Sequence, residues 1–127
     1  MVKAVSKIFL EQILRNNPLQ PLIVVGKCAF NDEYAVFIDA DIDERELHIP
    51  TQWKEEIQAI DSSNSVYLVV QNLDTQSFDE QKKFVGLIKD RRAGNFKLGN
   101  NVHIVISISD LNKVAPELKK LSLLWEI

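Results

Sequence analysis

Cysteine is almost missing from this chain: Cys28 stands alone. No disulfide can form within the chain, and a lone thiol fits a reducing compartment, so a cytoplasmic setting is expected. Lys27 beside it would favour the thiolate, but a single cysteine is usually packed as a small apolar group. Histidine is scarce too. His48 and His103 with one cysteine are too few for a zinc site. No apolar run approaches membrane-spanning length, and Glu11 interrupts the N-terminal region before a signal-peptide core can form. Neither sign of charge dominates. With 15 Lys and Arg against 18 Asp and Glu, the net charge of -3 supplies no general attraction to nucleic acid or to an anionic membrane. There is no internal repeat and no low-complexity linker.

What is present is enough for one domain over residues 1–127: hydrophobic content is 46% and charged content 26%. The stretch from Ser65 to Asp110 organises it. Val66, Tyr67, Leu68, Val69 and Val70 form a continuous, β-branched apolar run, the signature of a strand covered on both faces in a parallel sheet. Gln71, Asn72, Leu73 and Asp74 follow at its carboxyl end, the edge where open α/β sheets gather ligands. Ser77 and Glu80 have capping-box spacing and open a helix with Phe78, Phe84, Val85 and Ile88 on its apolar side. Lys89, Arg91 and Arg92 suit its last turn, and Gly94 is expected to end it. Gly86 in mid-helix costs about 1 kcal/mol relative to Ala, which predicts either close packing there or a weak helix. Val102 to Ile108 is a second buried strand, closed by Ser109 and Asp110.

Around this centre, Val5, Ile8, Phe9 and Ile13 predict an amphipathic helix over residues 3–15. Leu22 to Val25 and Tyr34 to Ile38 predict strands. The gap between them is shorter than the dozen residues of an ordinary parallel crossover, so an antiparallel hairpin is expected. Thr51 is placed to cap a helix reaching Ile60, with Trp53 and Ile57 facing inward. A last helix is expected from Pro116 to the end, with Val114, Leu118, Leu121 and Trp125 as its buried stripe. On that helical period Leu123 and Ile127 fall together beside Leu124, a candidate interface.

The passage Gly86-Leu87-Ile88-Lys89-Asp90-Arg91-Arg92, then Gly94-Asn95-Phe96-Lys97-Leu98, then Asn101-Val102, resembles the MoxR-like branch of the AAA+ ATPases. There a Walker B strand ending in Asp-Glu leads into a helix, an "LL…(D/E)RR…G-x-(Y/F)-x-L…N-V" passage, and a sensor strand ending in Asn. Phe37 to Leu47 resembles the family's second strand and the loop after it. Val114-Ala115-Pro116-Glu117-Leu118 resembles the segment next after the sensor strand. The likeness spans roughly residues 35 to 121. It implies a three-layer α/β sandwich with a mostly parallel sheet, a reduced P-loop NTPase core. The departures are at the chemistry. The Walker B carboxylates fall on Gln71 and Asn72, which carry no charge to hold magnesium or polarise water. The sensor Asn falls on Ser109, and no arginine follows Leu118. The pattern GxxxxGK(S/T) is absent, and Gly26-Lys27-Cys28 is at most a fragment of it.

The resemblance therefore implies a catalytically inactive AAA+-like interaction module, without cofactor, whose partner is a protein: an AAA+ ATPase or a second copy. The alternative is a small metal-dependent phosphotransfer or nuclease domain using Asp39, Asp41 and Asp74, should two strand ends bring them together. Asp39, Asp41 and Asp43 mimic the start of an EF-hand loop, but Glu44 stands where Gly is needed and Pro50 where the final Glu belongs. Such alternation is usually a solvated loop. Lys82, Lys83, Lys89, Arg91, Arg92 and Lys97 form a basic cluster with no aromatic platform, which reads as a solvated helix face.

Overall fold

The computed structural model describes residues 20–25, 35–48, 52–61, 63–94 and 96–126. In chain order they form β1 (Leu22–Val25), β2 (Ala35–Asp39), α1 (Glu44–His48), α2 (Gln52–Ala59), β3 (Val66–Gln71), α3 (Phe78–Gln81), α4 (Val85–Asp90), β4 (Arg92–Ala93), β5 (Phe96–Lys97), β6 (Val102–Ile108), α5 (Pro116–Leu121) and β7 (Leu123–Glu126). Five strands make one parallel sheet in the order β2-β3-β6-β1-β7, while β4 and β5 pair as a small antiparallel ribbon.

The continuous apolar runs become the inner strands, as their composition requires. Val66, Leu68, Val70, Ile104 and Ile106 join Val36, Ile38 and Ile23 on one face, packed under Leu47, Trp53, Ile57, Phe84, Leu87 and Leu118 from the helices. The opposite face is buried as well, at Leu22, Val24, Tyr67, Val69 and Val105. Burial on both faces is what removes the polar alternation from β3 and β6. At the sheet's edge, β2 does alternate: Val36 and Ile38 are buried, whereas Phe37 and Asp39 are exposed. The α/β class and the mostly parallel sheet thus stand as the sequence implied.

Four local expectations are corrected. First, β1 and β2 do not form a hairpin. They are parallel and separated by β6 and β3. A dozen residues is the need of a crossover that contains a helix. The path from Val25 to Ala35 crosses three strand spacings and about five residues of strand, roughly 22 Å in all. Ten backbone steps can reach about 33 Å. Second, the final helix ends at Leu121. Ser122 leaves helical geometry (φ −121°, ψ 150°), its hydroxyl donating back to the Leu118 carbonyl at 2.9 Å. Leu123 to Glu126 then pairs with β1, and the Leu123 N–H donates to the Pro21 carbonyl at 2.8 Å. A short apolar run fits a strand or a helix, and here an open sheet edge decides.

Third, the helix opened by Ser77 is not continuous. The capping geometry forms, with the Glu80 N–H donating to Ser77 Oγ at 3.2 Å, but Lys82–Phe84 tightens into a 3₁₀ turn before α4. Gly86 is exposed, so close packing is not its reason. Fourth, Arg91 and not Gly94 ends α4. Arg91 takes the left-handed conformation (φ 55°) and its guanidinium donates to the carbonyls of Gly99 and Val102 at 2.8 and 2.5 Å. Gly94 (φ 63°) lies in the β4–β5 connection. The helix expected over 3–15, and Cys28, Thr51 and Ile127, lie outside the described residues.

Candidate functional site at the carboxyl edge of the sheet

Because β2, β3 and β6 run parallel, Asp39, Gln71 and Ser107 come level with one another at their ends. The residues just beyond those ends build the edge. Asn72 sits in the left-handed region (φ 64°, ψ 26°), which Asn tolerates and a longer acidic side chain does not favour. Its amide Nδ2 donates to Asp39 Oδ2 at 3.0 Å. The Asp41 N–H donates to the other Asp39 oxygen at 3.1 Å. These donors hold the Asp39 carboxyl below its ordinary value: the Asp41 backbone contributes most, Asn72 also lowers it, Lys83 adds a favourable charge, and partial burial opposes them.

Asp74 is committed elsewhere. Its Oδ2 accepts the N–H groups of Ser109 and Asp110 at 2.9 and 3.0 Å, tying the loop after β3 to the end of β6. Asp110 in turn caps the next 3₁₀ turn, accepting the Asn112 N–H at 3.0 Å. Two carboxylates therefore close two separate hydrogen-bond sets on either side of β3. Among the described residues no three Asp, Glu, His or Cys side chains group to hold a metal ion, so Asp39, Asp41 and Asp74 do not form one. The structure does bring Gln71 and Asn72 beside Asp39, and Ser109 beside Asp74. Both Gln71 and Ser109 are exposed.

The basic cluster divides. The Lys83 side chain is only 7% exposed and its ammonium donates to the Ile42 carbonyl at 2.5 Å, joining the α3 segment to the loop after β2. Arg91 is spent on the Gly99 and Val102 carbonyls. Lys82, Lys89, Arg92 and Lys97 face solvent, as a solvated surface should. Of the candidate interface residues, Leu123 is half-buried and Leu124 is 51% exposed; as neighbours on a strand they point to opposite faces, so the helical patch does not form.

Three polar or aromatic features had no signature in the sequence. Gln81 is fully buried and clasps two connections: its amide donates to the Gln76 and Lys113 carbonyls at 2.9 and 2.7 Å, and its carbonyl accepts the Ala115 N–H at 2.7 Å. Lys54 is buried with its ammonium on the Ala93 carbonyl at 3.1 Å and 5.4 Å from the Trp53 ring; burial lowers its pKa. Third, a groove of about 510 Å³ opens beside β2, walled by Phe37, Trp53, Ile38, Ile42 and acidic side chains. Each depends on residues far apart in sequence, where periodicity carries no signal.

The chain matches no known family model, and no curated protein matches it. Among the described residues no helix is long and apolar enough to cross a membrane.

Proposed function

We propose that the chain is a catalytically inactive protein-interaction module on a reduced AAA+-like core, one that has lost nucleotide binding. It works in the cytoplasm on a protein partner, an AAA+ ATPase or a second copy of itself. The observation that carries this reading is the hydrogen bond from Asn72 to Asp39. A catalytic carboxylate at position 72 would stand about 3 Å from another carboxylate and have no proton to donate. The neutral amide satisfies Asp39, and the left-handed backbone suits it. The edge has the chemistry of a structural clasp where the resemblance would put a magnesium-polarising pair. The parallel sheet with strand ends in register is compatible with the implied architecture but common to many functions, and it supports only the scaffold.

The test is calorimetric titration with ATP and magnesium, together with phosphate release. No binding tighter than about 1 mM, equivalent to about 4.1 kcal/mol, is expected. Gln71→Asp with Asn72→Glu made together should not create turnover, because carboxylates of this kind act on a nucleotide already held by a phosphate loop. Tighter binding, or magnesium-dependent phosphate release above the parent, would overturn the reading.

A further inference from the structure

The outer edge of β7 is the strongest unassigned feature. Among the described residues β7 pairs with β1 alone. The two strands run parallel, and the Leu123 N–H donates to the Pro21 carbonyl at 2.8 Å. Along a strand, the N–H and C=O groups of successive residues point to opposite sides. Leu123 therefore serves β1, and the N–H and C=O of Leu124 face outward, where no strand among the described residues meets them. The Leu124 side chain is 51% exposed and stands level with Ile23, on the face that carries the helices. Proteins guard such edges with lysine, proline or a covering element. The strand Leu123–Glu126 contains neither of those residues. The sheet's other edge, β2, differs: the exposed acids Asp41 and Glu46 stand beside it, so self-pairing there would bring like charges together.

The edge of β7 complements itself. A two-fold axis perpendicular to the sheet sets two copies of the strand antiparallel and keeps like faces together. The outward-facing Leu124 then meets Leu124 of the second copy on the axis, each giving its N–H to the other's carbonyl. Each exposed leucine covers the other. Two residues further along, Glu126 of one copy falls opposite Ser122 of the other, next after the last turn of α5 with its Lys119 and Lys120. The seam is thus apolar at its centre and brings acidic to basic positions at both ends. A net charge of -3 on each copy opposes this only weakly. We propose that the chain forms a two-fold dimer by antiparallel pairing of β7, which joins the two sheets into one. This inference rests on the interaction-module reading and selects the second copy as the partner.

The seam is short, so the dimer should be weak, with a dissociation constant above about 1 µM. Sedimentation of the whole chain from about 1 µM to about 1 mM should show the mean mass rising from one chain toward two and no further. Leu124→Pro removes only the outward N–H, at an edge position that accommodates proline. Leu124→Lys sets like charges opposite each other on the axis. Each should weaken association by about tenfold or more, with melting of the dilute chain unchanged; the lysine variant carries the test should the proline variant not fold. Leu124→Cys, with Cys28→Ser, should form a disulfide between copies, since the paired Cα atoms would lie about 5.5 Å apart. Phe37→Cys in the same background, exposed at the other edge, should not. A parent that stays a single chain at about 1 mM overturns the proposal. So does growth beyond two copies, equal association of the folded variants, or equal cross-linking at Phe37. The two readings fail separately: ATP binding removes the interaction-module reading, whereas a chain that neither binds ATP nor dimerises keeps that reading, with another protein as partner, and loses only this seam.

Discussion

Asn72→Asp exchanges one atom group and isolates what the amide does. The left-handed backbone tolerates Asp about as well as Asn, so conformation is held nearly constant. The change removes the donor 3.0 Å from Asp39 Oδ2 and puts a second carboxylate in its place. Two unit charges at that separation repel by about 1.4 kcal/mol in a water-like dielectric, and by more where water is displaced. Both side chains are exposed, so the lower figure applies, and relaxation offsets part of it while the lost hydrogen bond adds to it. A net cost of about 1–2 kcal/mol, or about 4–8 °C in melting temperature, is expected near neutral pH and low salt. Asn72→Gly is the reference, since it loses the hydrogen bond without adding charge; the aspartate variant should melt below it.

The sign of the pH dependence comes from Asp39. In the parent its pKa is lowered on folding. Its stabilisation is therefore present above the ordinary carboxylate value and is lost as pH falls through the lower, folded one. In Asn72→Asp the paired carboxylates raise one another, so the folded variant takes up a proton more readily than the unfolded chain. Its deficit is full at neutral pH and shrinks as pH falls toward the ordinary carboxylate range. The parent and variant melting curves should converge in acid. Equal stability of the Asp and Gly variants at neutral pH and low salt, or a deficit that grows in acid, refutes the account of this edge.

Two further predictions concern the scaffold. Gln81→Met keeps the volume but strands the buried Ala115 N–H and two carbonyls, and should cost about 3 kcal/mol, some 10 °C in a thermal melt; a loss under about 1 kcal/mol would show the clasp to be dispensable. Gly86→Ala should stabilise by about 0.5–1 kcal/mol in urea unfolding, because among the described residues an added Cβ meets only the Arg92 carbonyl oxygen at 3.8 Å and the position is exposed. Destabilisation there would mean that the glycine serves the 3₁₀ turn before it.

The parts of this fold that could be read from sequence are those set by neighbours in the chain. Val66 to Val70 and Val102 to Ile108 announce buried strands because both faces must be apolar, and Ser77 announces its helix because the cap is three residues long. Partnership between distant segments left no such mark. Nothing near Leu22 says that it will lie between Val105 and Leu123 and not beside Ala35. Leu123 and Leu124 fit either period, and the vacant side of β1 chooses the strand. The neutrality of Gln71 and Asn72 was legible at the candidate site, as was their place at a strand end. That Asn72 serves Asp39, and that Asp74 serves Ser109 and Asp110, was not, since each bond joins residues more than thirty positions apart.

The place of β1 governs how this sheet assembles. Both of its partners, β6 and β7, come from the far part of the chain, whereas β2, β3 and β6 meet their neighbours through shorter loops. Closing a long loop costs entropy before any contact repays it. The β2–β3–β6 half is thus the natural nucleus, and β1 is a wedge driven in afterwards, with β7 sealing it from the outside. Until that happens β6, whose side chains are apolar, presents an open flank of unpaired backbone N–H and C=O groups in the middle of the future sheet. Amide exchange in β1 and β7 should accordingly report one cooperative opening, distinct from the more protected unit centred on β3.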